Sequence, residues 1–241
     1  MTDQLRLLAR AIKYKHKLDP AEIAFLRSVV KPGMVALDLG AHKGAYAYWL
    51  AKSVGPSGRV LCVEAQKYLA EKLKTVMQKR ANVSVTWSAI SDTTGTGELS
   101  LRPDGSSHGA SIAGFADGNV GATTEVPTIT LADLLKQQTV DRLDFIKCDV
   151  EGHEGAVFAA SMDIIREHSP TVLIECEDRH ASEDTPHGGV AGLVGLFEPL
   201  GYRIRFFKGG ELCPLSEFDA AVHQNYGVGE YCNNFVLDMP E

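Results

Sequence analysis

Apolar runs, glycine-bearing turns and stretches of helical spacing follow one another along this chain. The run from Met34 to Leu37 ends in Asp38, passes Gly40 and Gly44, and leads into residues 45–51, which read as helix. A buried strand that feeds a helix through a glycine turn opens a doubly wound α/β sheet, whose ligands bind at the carboxyl ends of the strands. Further strands are expected at 59–63, 82–87, 143–149, 170–177, 201–207 and 234–237, and helices at 68–80, 131–137, 152–160, 161–168 and 190–200. The pattern predicts a seven-stranded, mostly parallel sheet in a single domain spanning residues 1–241. Helical spacing of Leu5, Leu8 and Ile12 puts a helix before it. A second helix starts with Asp19 as cap, Pro20 at the first position and Glu22 at the third, and presents Ile23, Phe25, Leu26, Val29 and Val30. These apolar positions either pack on the sheet or form a homodimer face. The basic run Lys13, Lys15, His16 and Lys17 is either solvated or a contact to an acidic substrate or partner.

The one irregular stretch is 93–130, which holds seven glycines. Strand-like pieces at 97–101 and 125–130 suggest an inserted hairpin with a mobile middle at 104–121. Long loops of this kind are lids, binding loops or linkers, and Ser106, Ser107, His108 and Ser111 are its candidates for meeting a polar substrate.

Composition narrows the partners. The 241 residues carry a formal net charge of −7, with 44% hydrophobic residues. That argues against a nonspecific nucleic-acid binder, which needs a basic surface, and no apolar run approaches the roughly 20 residues of a membrane span. No signal-peptide pattern opens the chain. Cys62, Cys148, Cys176, Cys213 and Cys232 are odd in number and include no C-x-x-C, so they read as reduced packing residues of a cytoplasmic protein.

The glycine turn selects among cofactors. A dinucleotide fingerprint needs G-x-G-x-x-G; counted from Gly40, its second and third glycines fall on His42 and Ala45. The spacing Asp38-x-Gly40-x-x-x-Gly44 suits a ligand without a pyrophosphate. The alternative classes are a nucleotide-sugar or nicotinamide oxidoreductase, disfavoured by the missing middle glycine, and a non-catalytic cofactor-binding or scaffold subunit. Glu64 closes the second strand 24 residues after Gly40, where an acid hydrogen-bonds ribose hydroxyls in doubly wound folds. At the mouth of the fourth strand, Asp149, Glu151, His153 and Glu154 crowd together, and such crowds survive where they meet partners, a ligand or a metal. Lys147 lies inside that strand on the face of Asp149 and needs a carboxylate from Asp38 or Glu175.

Asp38-Leu39-Gly40-Ala41-His42-Lys43-Gly44, Ser88-Ala89-Ile90-Ser91-Asp92, the Lys147-x-Asp149-x-Glu151-Gly152-x-Glu154 pattern and Pro170-Thr171-Val172-Leu173-Ile174-Glu175 together resemble the FkbM-type methyltransferase family, in the family's own order. The departure is His42, where the family commonly has Asn. The resemblance implies a Rossmann-like class I fold that binds S-adenosylmethionine and transfers methyl, usually to a hydroxyl of a small molecule such as a sugar or natural product. It implies Asp38, Gly40, Ala41 and Gly44 around the methionine part of the cofactor, Glu64 at the ribose, and Ser88 and Ala89 near the adenine. For the general base, His153 comes first because its ordinary pKa of about 6.5 suits proton removal near neutral pH; Asp149 comes second. Asp149 with Glu175, Glu177 or Asp178 would make an all-oxygen site suited to Mg²⁺; otherwise these carboxylates pair with Lys147, Arg179 or solvent. His180 and His187 fall in the loop after the fifth strand.

Overall fold

The computed structural model describes residues 2–104, 106–107, 109–114, 118–180 and 187–240; His108 lies outside them. Its strands are β1 (Val35–Leu39), β2 (Arg59–Glu64), β3 (Val83–Trp87), β4 (Ala89–Ile90), β5 (Gly95–Leu101), β6 (Ala122–Ile129), β7 (Phe145–Cys148), β8 (Thr171–Glu175), β9 (Arg203–Lys208), β10 (Glu211–Pro214) and β11 (Asn234–Asp238). Its helices are α1 (Asp3–Lys13), α2 (Pro20–Val29), α3 (Ala45–Val54), α4 (Lys67–Met77), α5 (Leu131–Gln137), α6 (Glu154–Ala159), α7 (Met162–His168), α8 (Gly189–Phe197) and α9 (Ala220–His223).

The main sheet runs β10-β9-β11-β8-β7-β1-β2-β3. Neighbours from β3 to β8 are parallel, and β11 pairs antiparallel with both β8 and β9. The sheet therefore has eight strands where seven were expected. The extra one, β10, turns back on β9 through Gly209 and Gly210, both at positive φ, with Glu211 opposite Lys208. A Gly-Gly pair between two strands is the ordinary signature of a two-residue hairpin. The inserted region is a separate three-stranded sheet in the order β4-β6-β5. The expected hairpin is its β5–β6 pair, and β4 joins β6 in parallel.

Alternation along the parallel strands sends side chains to two apolar layers. Leu37, Leu39, Ile146 and Cys148 face the layer that contains Val157, Phe158 and Phe197. Ala36, Val60 and Phe145 face the layer of Leu7, Ala11, Ile23, Leu26 and Leu50. Full burial of each large side chain contributes about 1.5–3 kcal/mol, which explains why the N-terminal helices dock firmly. Trp49 Nε1 fastens them by donating to the Ala11 carbonyl at 2.9 Å. The buried face of α1 is not the expected one: Leu7 and Ala11 are buried, whereas Leu5, Leu8 and Ile12 are exposed. Ile23 and Leu26 of α2 are buried as expected. Pro20 opens α2, but the Asp19 side chain does not cap it; Asp19 Oδ2 accepts the Tyr46 hydroxyl instead, at 2.8 Å. Residues Tyr14–Leu18 form a short π-helix that swings Asp19 inward.

Candidate active site

The strand order reverses between β1 and its two neighbours, β2 and β7, and a crevice opens at such a switch point. A cavity of about 350 Å³ lies there, within the roughly 300–1,000 Å³ usual for small-molecule sites. Its floor is the turn after β1. Gly40 has φ +78°, and a Cβ on it would stand 1.8 Å from the Asp149 carbonyl oxygen. The turn therefore needs glycine both for its left-handed backbone and for contact with the end of β7. Gly44 has φ +80° and precedes α3, where a Cβ would meet Leu73 Cδ1 at 2.5 Å. His42 is also left-handed, with φ 47°, a conformation that Asn and His tolerate better than most residues.

Asp38 is a desolvated acid of the site. It is 2% exposed, its Oδ2 has no hydrogen-bond partner among the described residues, and it lines the cavity. Burial, opposed by Lys147 and reinforced by Asp149, pushes its carboxyl up to about 7. Glu64 is also buried; its Oε2 accepts from the His42 amide at 2.7 Å and its Oε1 from the Gln66 amide at 2.8 Å. Burial raises its pKa while those two amides hold it down. Ala41, Ser88 and Ala89 line the same cavity. Ser88 Oγ donates to the Pro127 carbonyl at 2.7 Å, which ties the main sheet to the inserted one. The sequence-expected group Asp38, Gly40, Ala41, Glu64, Ser88 and Ala89 thus lines one cavity, and Gly44 starts the helix behind it.

The crowd at the end of β7 separates. Asp149 and Glu151 line the cavity; His153 and Glu154 do not. His153 Nε2 meets Ser91 Oγ at 3.0 Å, and Ser91 Oγ donates to Asp92 Oδ1 at 3.0 Å. Burial lowers the His153 pKa, against the pull of Asp92. Glu154, buried and pushed up to about 7, accepts the amides of Val150 and Gly152 at 3.1 and 3.2 Å and so braces the mouth loop.

The four carboxylates of the expected Mg²⁺ site do not converge. Asp149 and Glu175 line the cavity, but Glu177 is held by Arg179 Nε and by Asn233 Nδ2 at 3.0 Å. Asp178 Oδ1 accepts the Val190 amide at 2.8 Å at the start of α8. Among the described residues, no group of three or more His, Cys, Asp or Glu side chains could hold a metal ion. The charges on Glu177 and Asp178 are spent on protein donors, which is the alternative that spacing alone left open. His180 packs against Gly152, outside the cavity lining.

Lining residues from the N-terminal segment and α3 escaped the sequence reading as site residues. Tyr14, Leu18 and Asp19 come from the N-terminal segment, and Tyr46 from α3. The Asp19-Pro20 pair carried a local signal for a helix start that hid the tertiary role of Asp19. From the inserted region, the Ser107 hydroxyl meets His42 Nε2 at 2.9 Å and accepts from Lys43 Nζ, and its carbonyl accepts from Gln66 Nε2 at 2.9 Å. Glu151 Oε1 accepts the Gly109 amide at 3.0 Å, and the Ser111 hydroxyl donates to the Glu151 carbonyl at 2.6 Å. The insertion therefore covers the glycine turn and the end of β7 at once. Of its sequence-named candidates, Ser107 lines the cavity, and Ser111 is a buried strut.

The doubly wound sheet, with an acid-flanked glycine turn at its switch point and without the dinucleotide glycines, is a Rossmann-like fold whose crevice suits a ligand other than a dinucleotide. Comparison with known proteins agrees. The family model described as the methyltransferase FkbM domain matches residues 38–204, and the chain belongs to that family. Similar solved structures include the FkbM methyltransferase of Methylobacillus flagellatus KT, at 14% identity and TM-score 0.50. The alignment covers 99% of this chain and 55% of that one, so this chain spans about half of that relative's length. An O-methyltransferase of Bacillus cereus in complex with SAH aligns at 15% identity and TM-score 0.53, covering 99% and 90% of the two chains. A putative O-methyltransferase of Klebsiella pneumoniae aligns at 13% identity and TM-score 0.52, with the same coverage. Among curated proteins, none matches the chain. No helix among the described residues is long and apolar enough to cross a membrane.

Proposed function

We propose that this protein transfers methyl from S-adenosylmethionine to a hydroxyl of a small acceptor, a sugar or natural product. The observation that carries the reading is the unpartnered, buried Asp38 Oδ2 facing the cavity beside the glycine turn. An uncompensated buried acceptor is costly, and the ammonium of the cofactor's methionine part would satisfy it. Glu64 keeps lone pairs for ribose hydroxyls after accepting its two amides. Ser88, Ala89, Ile90 and Leu99 offer a mostly apolar slot for a purine. The bound cofactor would supply an electrophilic methyl on a sulfonium.

The chain's own residues do the rest. Holding two reactants in line removes about 7–11 kcal/mol of barrier. The clasp of Ser107 on His42, Lys43 and Gln66 holds the inserted region over the glycine turn. Asp149, which lines the cavity at the end of β7, takes the acceptor's proton, a step worth roughly 10²–10⁴-fold. His153, turned away onto Ser91, is left a structural hydrogen bond. Titration calorimetry with S-adenosylmethionine and S-adenosylhomocysteine, beside an NAD control and with EDTA present, tests the reading. Micromolar binding of donor and product, unaffected by EDTA, is expected; binding of NAD alone would refute it.

A further inference from the structure

The buried ammonium of Lys147 has no place in the reaction so far. We propose that Lys147 is an acceptor-contacting catalytic residue, whose free N–H groups hold the acceptor hydroxyl oxygen while Asp149 removes its proton; the proposal rests on the methyltransferase reading above. Lys147 sits inside β7, opposite Asp38 of β1 and Leu173 of β8, and is only 2% exposed. It lines the cavity beside Asp149 and Glu175. Among the described residues its Nζ makes one hydrogen bond, to the Cys148 carbonyl at 3.1 Å, and stands 5.1 Å above the Tyr46 ring. An ammonium carries three donors. Two remain for an oxygen in the cavity, and a buried donor left without an acceptor is costly.

The surroundings keep it charged. Burial alone would lower the pKa of Lys147, but Asp149, Glu175 and Asp38 reverse this and leave it raised. Tyr14, Asp19 and Tyr46 line the same cavity, and Glu22 of α2 is within electrostatic reach of Lys147. A fixed cation at the acceptor oxygen stabilises the negative charge that develops there as its proton leaves. The hydroxyl proton passes to the Asp149 carboxylate. The oxygen's electron pair forms the new C–O bond at the methyl carbon, and the C–S pair stays on sulfur. No metal is needed to polarise the hydroxyl, because Lys147 supplies the positive charge.

The direct test is a crystal structure of the wild-type protein with S-adenosylhomocysteine and glycerol as the probe alcohol. A glycerol or water oxygen within about 3.2 Å of both Lys147 Nζ and an Asp149 carboxylate oxygen is expected. The proposal is overturned if the remaining Nζ hydrogens go directly to Asp38, Asp149 or Glu175 with no solvent or alcohol oxygen between. Should the nucleoside fail to bind, the cofactor reading falls, yet crystals with glycerol alone still decide the Lys147 contact. In an acceptor assay, Lys147→Met should lower kcat by about 10²–10³-fold with the affinity for S-adenosylhomocysteine within threefold, and Lys147→Arg should recover part of the loss. Unchanged kcat in a folded Lys147→Met protein would also overturn it.

Discussion

Replacing Asp38 by Asn should make the protein more stable and the site worse, and the pH dependence of that gain is fixed by where Asp38 lies. The native carboxyl is fully enclosed, with one oxygen unpartnered. Burial, against the opposing pull of Lys147, raises its pKa from 3.8 to about 7. That preference for the protonated form corresponds to about 4 kcal/mol. In the unfolded chain the group ionises near its ordinary pKa, so between the two values the unfolded state binds fewer protons. The contribution of Asp38 to stability is therefore complete below about pH 4, falls as pH rises, and levels off above about pH 7. Asn keeps the shape and an acceptor for the Ala47 amide but carries no charge. Urea unfolding without cofactor should show D38N ahead of wild type by about 4 kcal/mol at about pH 8 and by less than about 2 kcal/mol at about pH 5. In a thermal scan at the higher pH, the gain reads as a rise in Tm of about 10 °C for a chain of this size. Loss of the charge-assisted bond to the donor's ammonium should weaken S-adenosylmethionine binding by about tenfold to a hundredfold. A gap that stayed constant with pH, or a D38N protein less stable than wild type at pH 8, would refute the assignment of Asp38 as a desolvated acid kept for a ligand.

Gly40→Ala forces a Cβ into the Asp149 carbonyl and a non-glycine residue into φ +78°; a loss of about 2–4 kcal/mol by urea unfolding and no measurable S-adenosylhomocysteine binding are expected. His153→Ala removes the bond to Ser91 and should cost about 1 kcal/mol while leaving turnover within threefold; a hundredfold loss of kcat would return His153 to the mechanism. Ser107→Ala removes the hydroxyl that meets His42 and Lys43, so S-adenosylhomocysteine should dissociate several-fold faster in stopped-flow displacement with its association rate little changed.

The sequence by itself determined the strand–turn–helix order and the floor of the site. Period-two and helical spacing are local, and Gly40 and Gly44 stand at left-handed backbone where a Cβ would also clash. Glu64 was named from its place at the end of a strand, and Asp38, Ser88 and Ala89 from their resemblance to the family's motifs; the parallel topology brings all four to one cavity. The edge strand β10 was legible in principle from Gly209-Gly210. What only the tertiary structure decided is which side chains spend their charge on the protein and which keep it for a ligand. Asp149, Glu151, His153 and Glu154 are indistinguishable by spacing, yet two face the cavity and two bond to Ser91 and to backbone amides. Glu177 and Asp178 look like ligands until Arg179, Asn233 and the start of α8 take their oxygens. The roles of Tyr14, Asp19 and Ser107 depend on segments far apart in the chain meeting over the turn. Hydrogen-bond partners of this kind are set by packing, and packing across such separations leaves no local pattern in the residues themselves.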